Sequence, residues 1–106
     1  MARALIHMPS SARRGAVIEI RAVIAHPMET GYRPGADGRV LPRDIIRRFT
    51  CRYNGEVVFA AELAPAISAN PYLAFHLLAT DNGTLEFEWQ GDNGFSQVER
   101  RPLQVT

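Results

Sequence analysis

Apolar and polar residues alternate along most of the chain, which is the pattern of β-strands buried on one side. Within the segment 15–26 the even positions from 16 to 24 are apolar, whereas Glu19 and Arg21 occupy odd positions. This period of two predicts a strand, and no segment sustains the 3.6-residue period of a helix. The same pattern along the whole chain predicts seven strands, at 3–8, 15–26, 44–53, 56–63, 72–80, 84–90 and 96–105.

The turn between the third and fourth predicted strands is centred on Asn54-Gly55. Two-residue and three-residue hairpin turns are both compatible with this dipeptide. The three-residue turn sets Phe49 opposite Phe59, so that apolar side chains pair on one face. Because a one-residue slip would move the apolar set of a strand to the wrong face, we predict the three-residue turn.

A second Asn-Gly turn, at 81–83, connects the fifth and sixth predicted strands. The same register argument sets Phe75 opposite Trp89 on one face and His76 opposite Glu88 on the other. The sequence therefore predicts a second hairpin, with Trp89 in the core.

Seven short strands within 106 residues predict a single domain, 1–106, with an all-β fold. The strand number and the tight turns indicate an immunoglobulin-like antiparallel β-sandwich. If successive strands alternate in direction, the connections 27–43, 64–71 and 91–95 share one end, and the two minimal turns lie at the other. Sandwiches place their binding loops in this way.

The longest connection, 26–43, is rich in proline and glycine and also carries Met28, Tyr32 and alternating charges. Loops of this length in compact domains usually have a functional reason. We therefore expect the loop-rich end to contact a partner protein, although a sheet face is an equally open alternative. The residues predicted to contact the partner are His26, Met28, Glu29, Tyr32, Arg33, Tyr72, Asn93 and Phe95.

Three of these residues have a structural alternative. Met28 either anchors a partner or closes the top of the core, and the sequence does not separate the two. His26 either contacts a partner or anchors the loop by hydrogen bonding to the backbone, which is the commoner role. Tyr72 follows Asn70-Pro71 and lies either in the core or at its rim.

Composition excludes several classes of protein. A formal charge of +1 argues against a nucleic-acid binder that works by phosphate neutralisation. No segment reaches the length of a membrane-spanning helix, so no membrane insertion is expected. The motifs of serine hydrolases, P-loop enzymes, zinc proteases and dinucleotide-binding proteins are absent, which predicts no catalytic residues. The N-terminal residues lack the apolar stretch of a signal peptide, which by itself implies the cytoplasm.

Cys51 is the only cysteine, so it forms no disulfide within the chain. It shares a strand face with Phe49 and Tyr53, which predicts a small thiol in the core. The alternative is a small redox or metal protein that uses Cys51 with histidines. A blue-copper site needs two histidines and one cysteine, but the first histidine after Cys51 is His76. We therefore expect no metal site and no cofactor.

The chain resembles the SoxZ subunits of SoxYZ, the carrier complex of sulfur oxidation. The resemblance extends from about residue 5 to the C-terminus. It rests on four runs in this order, which are IRAVIAHPMETGYR (20–33), PRDIIRRFTCRYNGEVVF (42–59), NPYLAFHLLAT (70–80) and GTLEFEWQGDNGF (83–95).

This resemblance implies an immunoglobulin-like sandwich that forms a tight heterodimer with SoxY. The family's SoxY has a flexible C-terminal arm ending in Gly-Gly-Cys-Gly-Gly, whose cysteine holds the intermediates of thiosulfate oxidation. Other Sox enzymes make transient contacts with that complex. This chain ends in QVERRPLQVT instead, so the resemblance implies a non-catalytic scaffold. It also implies the periplasm as the location, because SoxZ is exported together with SoxY.

Overall fold

The computed structural model describes residues 2–65 and 67–106, which form two β-sheets packed face to face. All seven predicted strands are present, each within two residues of its predicted bounds, and one additional short strand, β2, was not predicted. A 3-10 turn at Asp92–Gly94 connects the last two strands. The strands are β1 (Ala4–His7), β2 (Ser11–Ala12), β3 (Val17–Ile24), β4 (Ile46–Tyr53), β5 (Glu56–Glu62), β6 (Tyr72–Leu78), β7 (Gly83–Gly91) and β8 (Ser96–Val105).

One sheet has three strands in the order β1-β3-β6, and the other has five in the order β2-β8-β7-β4-β5. All pairings are antiparallel except that of β2 with β8, which is parallel. The architecture confirms the predicted all-β immunoglobulin-like sandwich. Within the part of the chain that the structure describes, no helix is long and apolar enough to cross a membrane.

The core lies between the two sheets and is built from the alternating residues that the pattern predicted. From the three-stranded sheet, Ile18, Ile20 and Ile24 point inward and are buried. From the five-stranded sheet, Phe49 and Trp89 are fully buried, which confirms the predicted position of Trp89. Alternation places every second side chain on the same face of a strand, so burial of one face is sufficient to fix the sheets against each other.

The hairpin between β4 and β5 differs from the prediction in its register. Its turn has two residues, Asn54 and Gly55, with φ angles of 51° and 85°. Both positive angles suit a tight turn whose twist matches that of the strands. A bulge in β5 just after the turn shifts the register, so Phe49 lies opposite Ala61 and not opposite Phe59. The predicted three-residue turn is wrong, but the predicted faces hold because the bulge supplies the extra residue.

The predicted hairpin between β6 and β7 is also wrong, because these strands belong to different sheets. The segment that joins them crosses from one sheet to the other, and His76 accordingly pairs with Glu19 on β3. The Tyr53 hydroxyl stabilises this crossing by accepting hydrogen bonds from the N–H groups of Thr80, at 3.2 Å, and Asp81, at 2.9 Å. Either arrangement buries one side of both strands, so the sequence pattern alone does not separate them.

The three longer connections meet at one end of the sandwich, as predicted. The Asn70 N–H donates to the carbonyl of His26 at 2.7 Å, which joins the β5–β6 connection to the long β3–β4 loop. The Asp92 N–H donates to the carbonyl of Ile45 at 2.9 Å, which joins the β7–β8 connection to the same loop. The loop-rich end is therefore a single connected surface.

Candidate functional site

Two buried side chains, His26 and Met28, hold the long loop against the end of the sandwich. The His26 Nδ1 atom accepts a hydrogen bond from the Met28 N–H at 3.0 Å, and its ring packs edge-on against Phe95 with centroids 5.1 Å apart. The Met28 Sδ atom accepts a hydrogen bond from the Ile46 N–H at 3.2 Å. Since Met28 has a φ angle of 51°, these contacts also stabilise an uncommon backbone conformation.

The hydrogen bonds around His26 define its neutral tautomer. Because Nδ1 accepts from Met28, the ring hydrogen lies on Nε2, which is 3.7 Å from the Asp44 carboxylate. The backbone N–H of His26 donates to the Asn70 side-chain oxygen at 3.0 Å. His26 and Met28 are thus enclosed and anchor the loop from inside. Both side chains therefore occupy the positions that their structural alternatives describe, and their contact with a partner stays a prediction.

Glu29 and Arg33 form an ion pair on the outside of the same loop. The Arg33 guanidinium donates to the Glu29 carboxylate at 2.6 and 3.3 Å. This hydrogen bonding keeps the pKa of Glu29 below its usual value of 4.5. The Glu29 backbone exchanges two hydrogen bonds of 2.8 Å with that of Asp44, so the ion pair lies on a fixed piece of chain. Tyr32, on the same loop, has 82% of its surface exposed.

Asp92 joins the β7–β8 connection to the long loop through hydrogen bonds and ion pairs, and no pattern in the sequence indicated this role. Its carboxylate accepts two hydrogen bonds from Arg43, at 2.8 and 3.0 Å, and one from the Ile45 N–H at 3.2 Å. The Arg47 guanidinium lies 3.3 Å from the same carboxylate. The hydrogen bonds from Arg43 are the main reason why the pKa of Asp92 is below its usual 3.8. The Asp92 carboxylate therefore joins the end of the long loop, at Arg43 and Ile45, and the start of β4, at Arg47, to the β7–β8 connection.

We expect Asp92→Asn to lower the melting temperature at neutral pH and to make the melting temperature less dependent on pH in the acid range. The folded pKa of Asp92 is depressed, so this carboxylate stabilises the fold above the unfolded value of 3.8. That contribution disappears as the pH falls through the lower folded pKa. Thermal melts at pH 7 and near pH 3 should show a smaller difference between variant and parent in acid. The control is Asp37→Asn at an exposed loop carboxylate. Equal differences at both pH values for Asp92→Asn would contradict the expectation.

The other predicted contact residues are distributed over two surfaces. Asn93, with a φ angle of 59°, donates from its side chain to the Arg43 carbonyl at 3.4 Å and is exposed at the loop-rich end. Phe95 is partly buried against His26. Tyr72 is exposed but lies on the outer face of the three-stranded sheet, opposite Val23. The structure therefore brings together Glu29, Tyr32, Arg33, Asn93 and Phe95 at one end and leaves Tyr72 outside this group.

Cys51 lies in the core with no exposed surface, as predicted from its strand face. Burial raises the pKa of its thiol from 9.0 to about 12. Because the thiolate is the reactive and metal-binding form, this environment opposes both nucleophilic and ligand roles. Across residues 2–65 and 67–106, no three His, Cys, Asp or Glu side chains are grouped so that they could hold a metal ion.

Comparisons with solved structures identify the same sandwich in other proteins. A superoxide reductase (neelaredoxin) from Ignicoccus hospitalis aligns with a TM-score of 0.72 and 16% identity, over 97% of this chain and 80% of that chain. The sulfur carrier protein SoxY from Chlorobium limicola f thiosulfatophilum aligns with a TM-score of 0.68 and 15% identity, over 97% and 78%. A putative superoxide reductase from Thermotoga maritima aligns with a TM-score of 0.73 and 13% identity, over 97% and 85%. At these identities the similarity shows the fold alone.

Sequence comparison identifies the family. No curated protein matches the chain. The family model of the sulphur oxidation protein SoxZ matches residues 6–101, which is nearly the whole chain. The chain therefore belongs to the SoxZ family of sulphur oxidation proteins.

Proposed function

We propose that this chain is the non-catalytic scaffold subunit of a SoxYZ sulfur carrier. In this role it binds SoxY, whose C-terminal cysteine arm holds sulfur intermediates during thiosulfate oxidation. The observation that carries the proposal is the SoxZ family match over residues 6–101. The sandwich that the chain shares with a SoxY sulfur carrier protein is in keeping with a place in the same sulfur-oxidation system.

The chemistry of the described residues is compatible with a scaffold. The single thiol, Cys51, is enclosed in the core, and its raised pKa of about 12 keeps it protonated at neutral pH. We do not propose the alternative of a redox or metal protein, because that alternative depends on Cys51 as a nucleophile or ligand. The sulfur chemistry is instead assigned to the cysteine of SoxY and to the enzymes that act on it.

The loop-rich end is the proposed contact surface for proteins that visit the complex. The buried side chains of His26 and Met28 anchor the backbone of the long loop at this end. The same backbone carries the Glu29–Arg33 ion pair and the exposed Tyr32. A surface that is already ordered loses little conformational entropy when a partner binds. Transient contacts with other Sox enzymes would suit such a surface.

We also propose that the complex acts in the periplasm and that this chain reaches it by export together with SoxY. The support is the family membership, through the partner that it implies. Fractionation of cells that express both proteins should recover this chain in the periplasm only when SoxY keeps its export signal. Recovery in the periplasm without SoxY would contradict export by pairing.

The central test is purification of the chain with and without SoxY from the same organism. Alone, we expect it to self-associate or aggregate in size-exclusion chromatography with light scattering, because the surface that SoxY covers is then open. Mixed with SoxY, it should elute as a discrete complex that buries more than roughly 1,000 Å² in total. A stable monomer that ignores SoxY, or a lone chain that turns over thiosulfate, would defeat the proposal.

A further inference from the structure

The two outer faces of the sandwich differ in chemistry. On the five-stranded sheet, Arg52 contacts Glu86 at 3.3 Å and Glu88 at 2.9 Å, and Arg100 contacts Glu86 at 3.0 Å. These side chains come from three neighbouring strands, so the central part of that face is an ion-pair network. Charged networks of this kind are typical of a face that remains in contact with water.

The outer face of the three-stranded sheet is apolar at both ends. Leu5, Val23 and Tyr72 lie side by side across all three strands, and Val17 lies beside Leu78 at the opposite end. The four outermost of these, Leu5, Val17, Tyr72 and Leu78, are between 48% and 65% exposed. They make up four of the nine large apolar side chains exposed in the described part of the chain. We call the whole outer side of this sheet, which carries these five residues, the three-stranded face.

The centre of the three-stranded face is polar but electrically balanced. The Arg21 guanidinium donates to the Glu19 carboxylate at 2.7 Å, and the His76 ring nitrogen lies 3.9 Å from the same residue. The formal charges of Arg21 and Glu19 cancel, and Arg3, which lines the surface beside Leu5 and Val23, adds one positive charge at the rim. The face therefore carries little net charge. The three-stranded face therefore matches a partner surface that is mainly apolar and has a few polar groups at its centre.

A cleft of mixed polarity continues the surface beyond the edge of the sheet. Leu78 lines this open cleft of about 320 Å³ between the edge strands β5 and β6, together with Val58 and Leu77 and the polar Asn54, Glu56, Thr80 and Asp81. Val58 itself is exposed on β5. A partner that covers the three-stranded face would therefore meet Val58 and Leu77, among polar side chains, by extending around β6.

The size of this surface indicates what kind of partner it accommodates. Three strands spaced about 4.8 Å apart, with seven residues at about 3.3 Å each, cover roughly 300–400 Å². A stable protein complex buries about 800 Å² on each partner, so the three-stranded face supplies about half of this. The continuation around β6 supplies more. A single peptide strand would leave much of this surface uncovered, whereas a folded domain covers the face and its edge together.

We propose that SoxY docks on the three-stranded face and extends around the β6 edge to Val58, which leaves the loop-rich end free for other proteins. This inference rests on the proposed pairing with SoxY and adds the position of the contact. Tyr72 then acts as an aromatic anchor at one end of the face, since aromatic side chains are enriched among residues that contribute strongly to binding, and Leu78 joins the face to the edge.

The test is the affinity for SoxY of the same organism, measured by isothermal titration calorimetry for the parent chain and three variants. Tyr72→Glu and Leu78→Glu should each weaken binding about tenfold or more, because each places a charge in an apolar contact. The matched control is Gln90→Glu, which adds the same charge to an exposed position on the outer face of the five-stranded sheet and should leave affinity within about twofold. Thermal melts confirm that all three variants are folded.

The outcomes separate this inference from the proposed function. Tight binding by the parent and by both face variants would overturn the docking face and leave the pairing with SoxY intact. No binding by the parent would overturn both. Sedimentation velocity of the chain alone tests a second copy as the occupant: a tight dimer that Tyr72→Glu dissociates, and that SoxY does not displace, would overturn SoxY as the occupant.

Discussion

Phe49→Ala is expected to lower the free energy of unfolding by about 3–5 kcal/mol, the range for removal of a large buried aromatic side chain. Phe49 is fully buried at the centre of an aromatic cluster. Its ring centroid lies 5.2 Å from that of Trp89, 6.0 Å from Phe75 and 6.3 Å from Phe87. Because these neighbours come from both sheets, alanine would leave a cavity that neither sheet closes without losing its own contacts.

Urea unfolding followed by tryptophan fluorescence measures this change, since Trp89 is the only tryptophan and contacts Phe49 directly. The control is Arg48→Ala, the adjacent and exposed position on β4, where we expect a change within about 0.5 kcal/mol. A loss of less than about 1 kcal/mol for Phe49→Ala would mean that the two sheets do not depend on this cluster.

Gly91→Ala is expected to destabilise the fold by about 1–3 kcal/mol through overpacking. Gly91 lies opposite Ile46, where the pairing of β4 with β7 shifts register. A Cβ atom there would lie 2.5 Å from the Ile45 carbonyl oxygen and 3.0 Å from the Ile46 Cα atom. Both are backbone atoms, so the strands themselves must move apart. The φ angle of −152° is ordinary extended backbone, and the cost is therefore steric.

Hydrogen exchange should locate this effect. The amides of Ile45 and Asp92, which are anchored at this junction, should lose protection in Gly91→Ala, whereas amides in β3 should change little. Gln90→Ala, one residue away on the exposed side, is the control. Unchanged stability in Gly91→Ala would show that β4 and β7 adjust at this junction without cost.

The sequence was sufficient to predict the strands and the faces that they bury. This succeeded because alternation is a local property: each residue of β3 or β7 is inside or outside regardless of which strand lies beside it. The positions of Trp89 and Cys51 followed from the same rule. The gathering of three loops at one end required only that strands alternate in direction, and the hydrogen bonds of His26 and Asp92 confirm it.

Pairing between strands was not predictable in the same way. The turn at Asn54-Gly55 adopts the tight form, and a bulge in β5 then restores the faces. A two-residue turn with a bulge and a three-residue turn bury the same side chains, so the pattern does not distinguish them. The alternation also does not show whether β6 pairs with β7 or crosses to the other sheet. The Tyr53 hydroxyl that stabilises the crossing lies 28 positions from Asp81 in the sequence, so no local pattern reveals this contact.

The candidate site was predicted less completely than the fold. The long loop was identified from its proline and glycine content, but composition does not show which way a side chain points. For His26 and Met28 the sequence therefore left both partner contact and a structural role open, and the structure buries both side chains. Asp92 was missed because its partner Arg43 lies 49 positions away. Tyr72 was placed at the loop-rich end by its proximity to Pro71, whereas its direction is set by its register with Val23.

The enclosure of Cys51 has a consequence for the proposed role beside the sulfur-carrying cysteine of SoxY. Persulfide and disulfide exchange proceed through thiolates, and a thiol with a pKa of about 12 is ionised in about one molecule in 100,000 at pH 7. In the proposed complex, Cys51 would therefore compete poorly for sulfur that SoxY carries. Under that proposal, the packing around Cys51 would keep sulfur off this subunit, so that the SoxY cysteine would be the thiol on which the enzymes act.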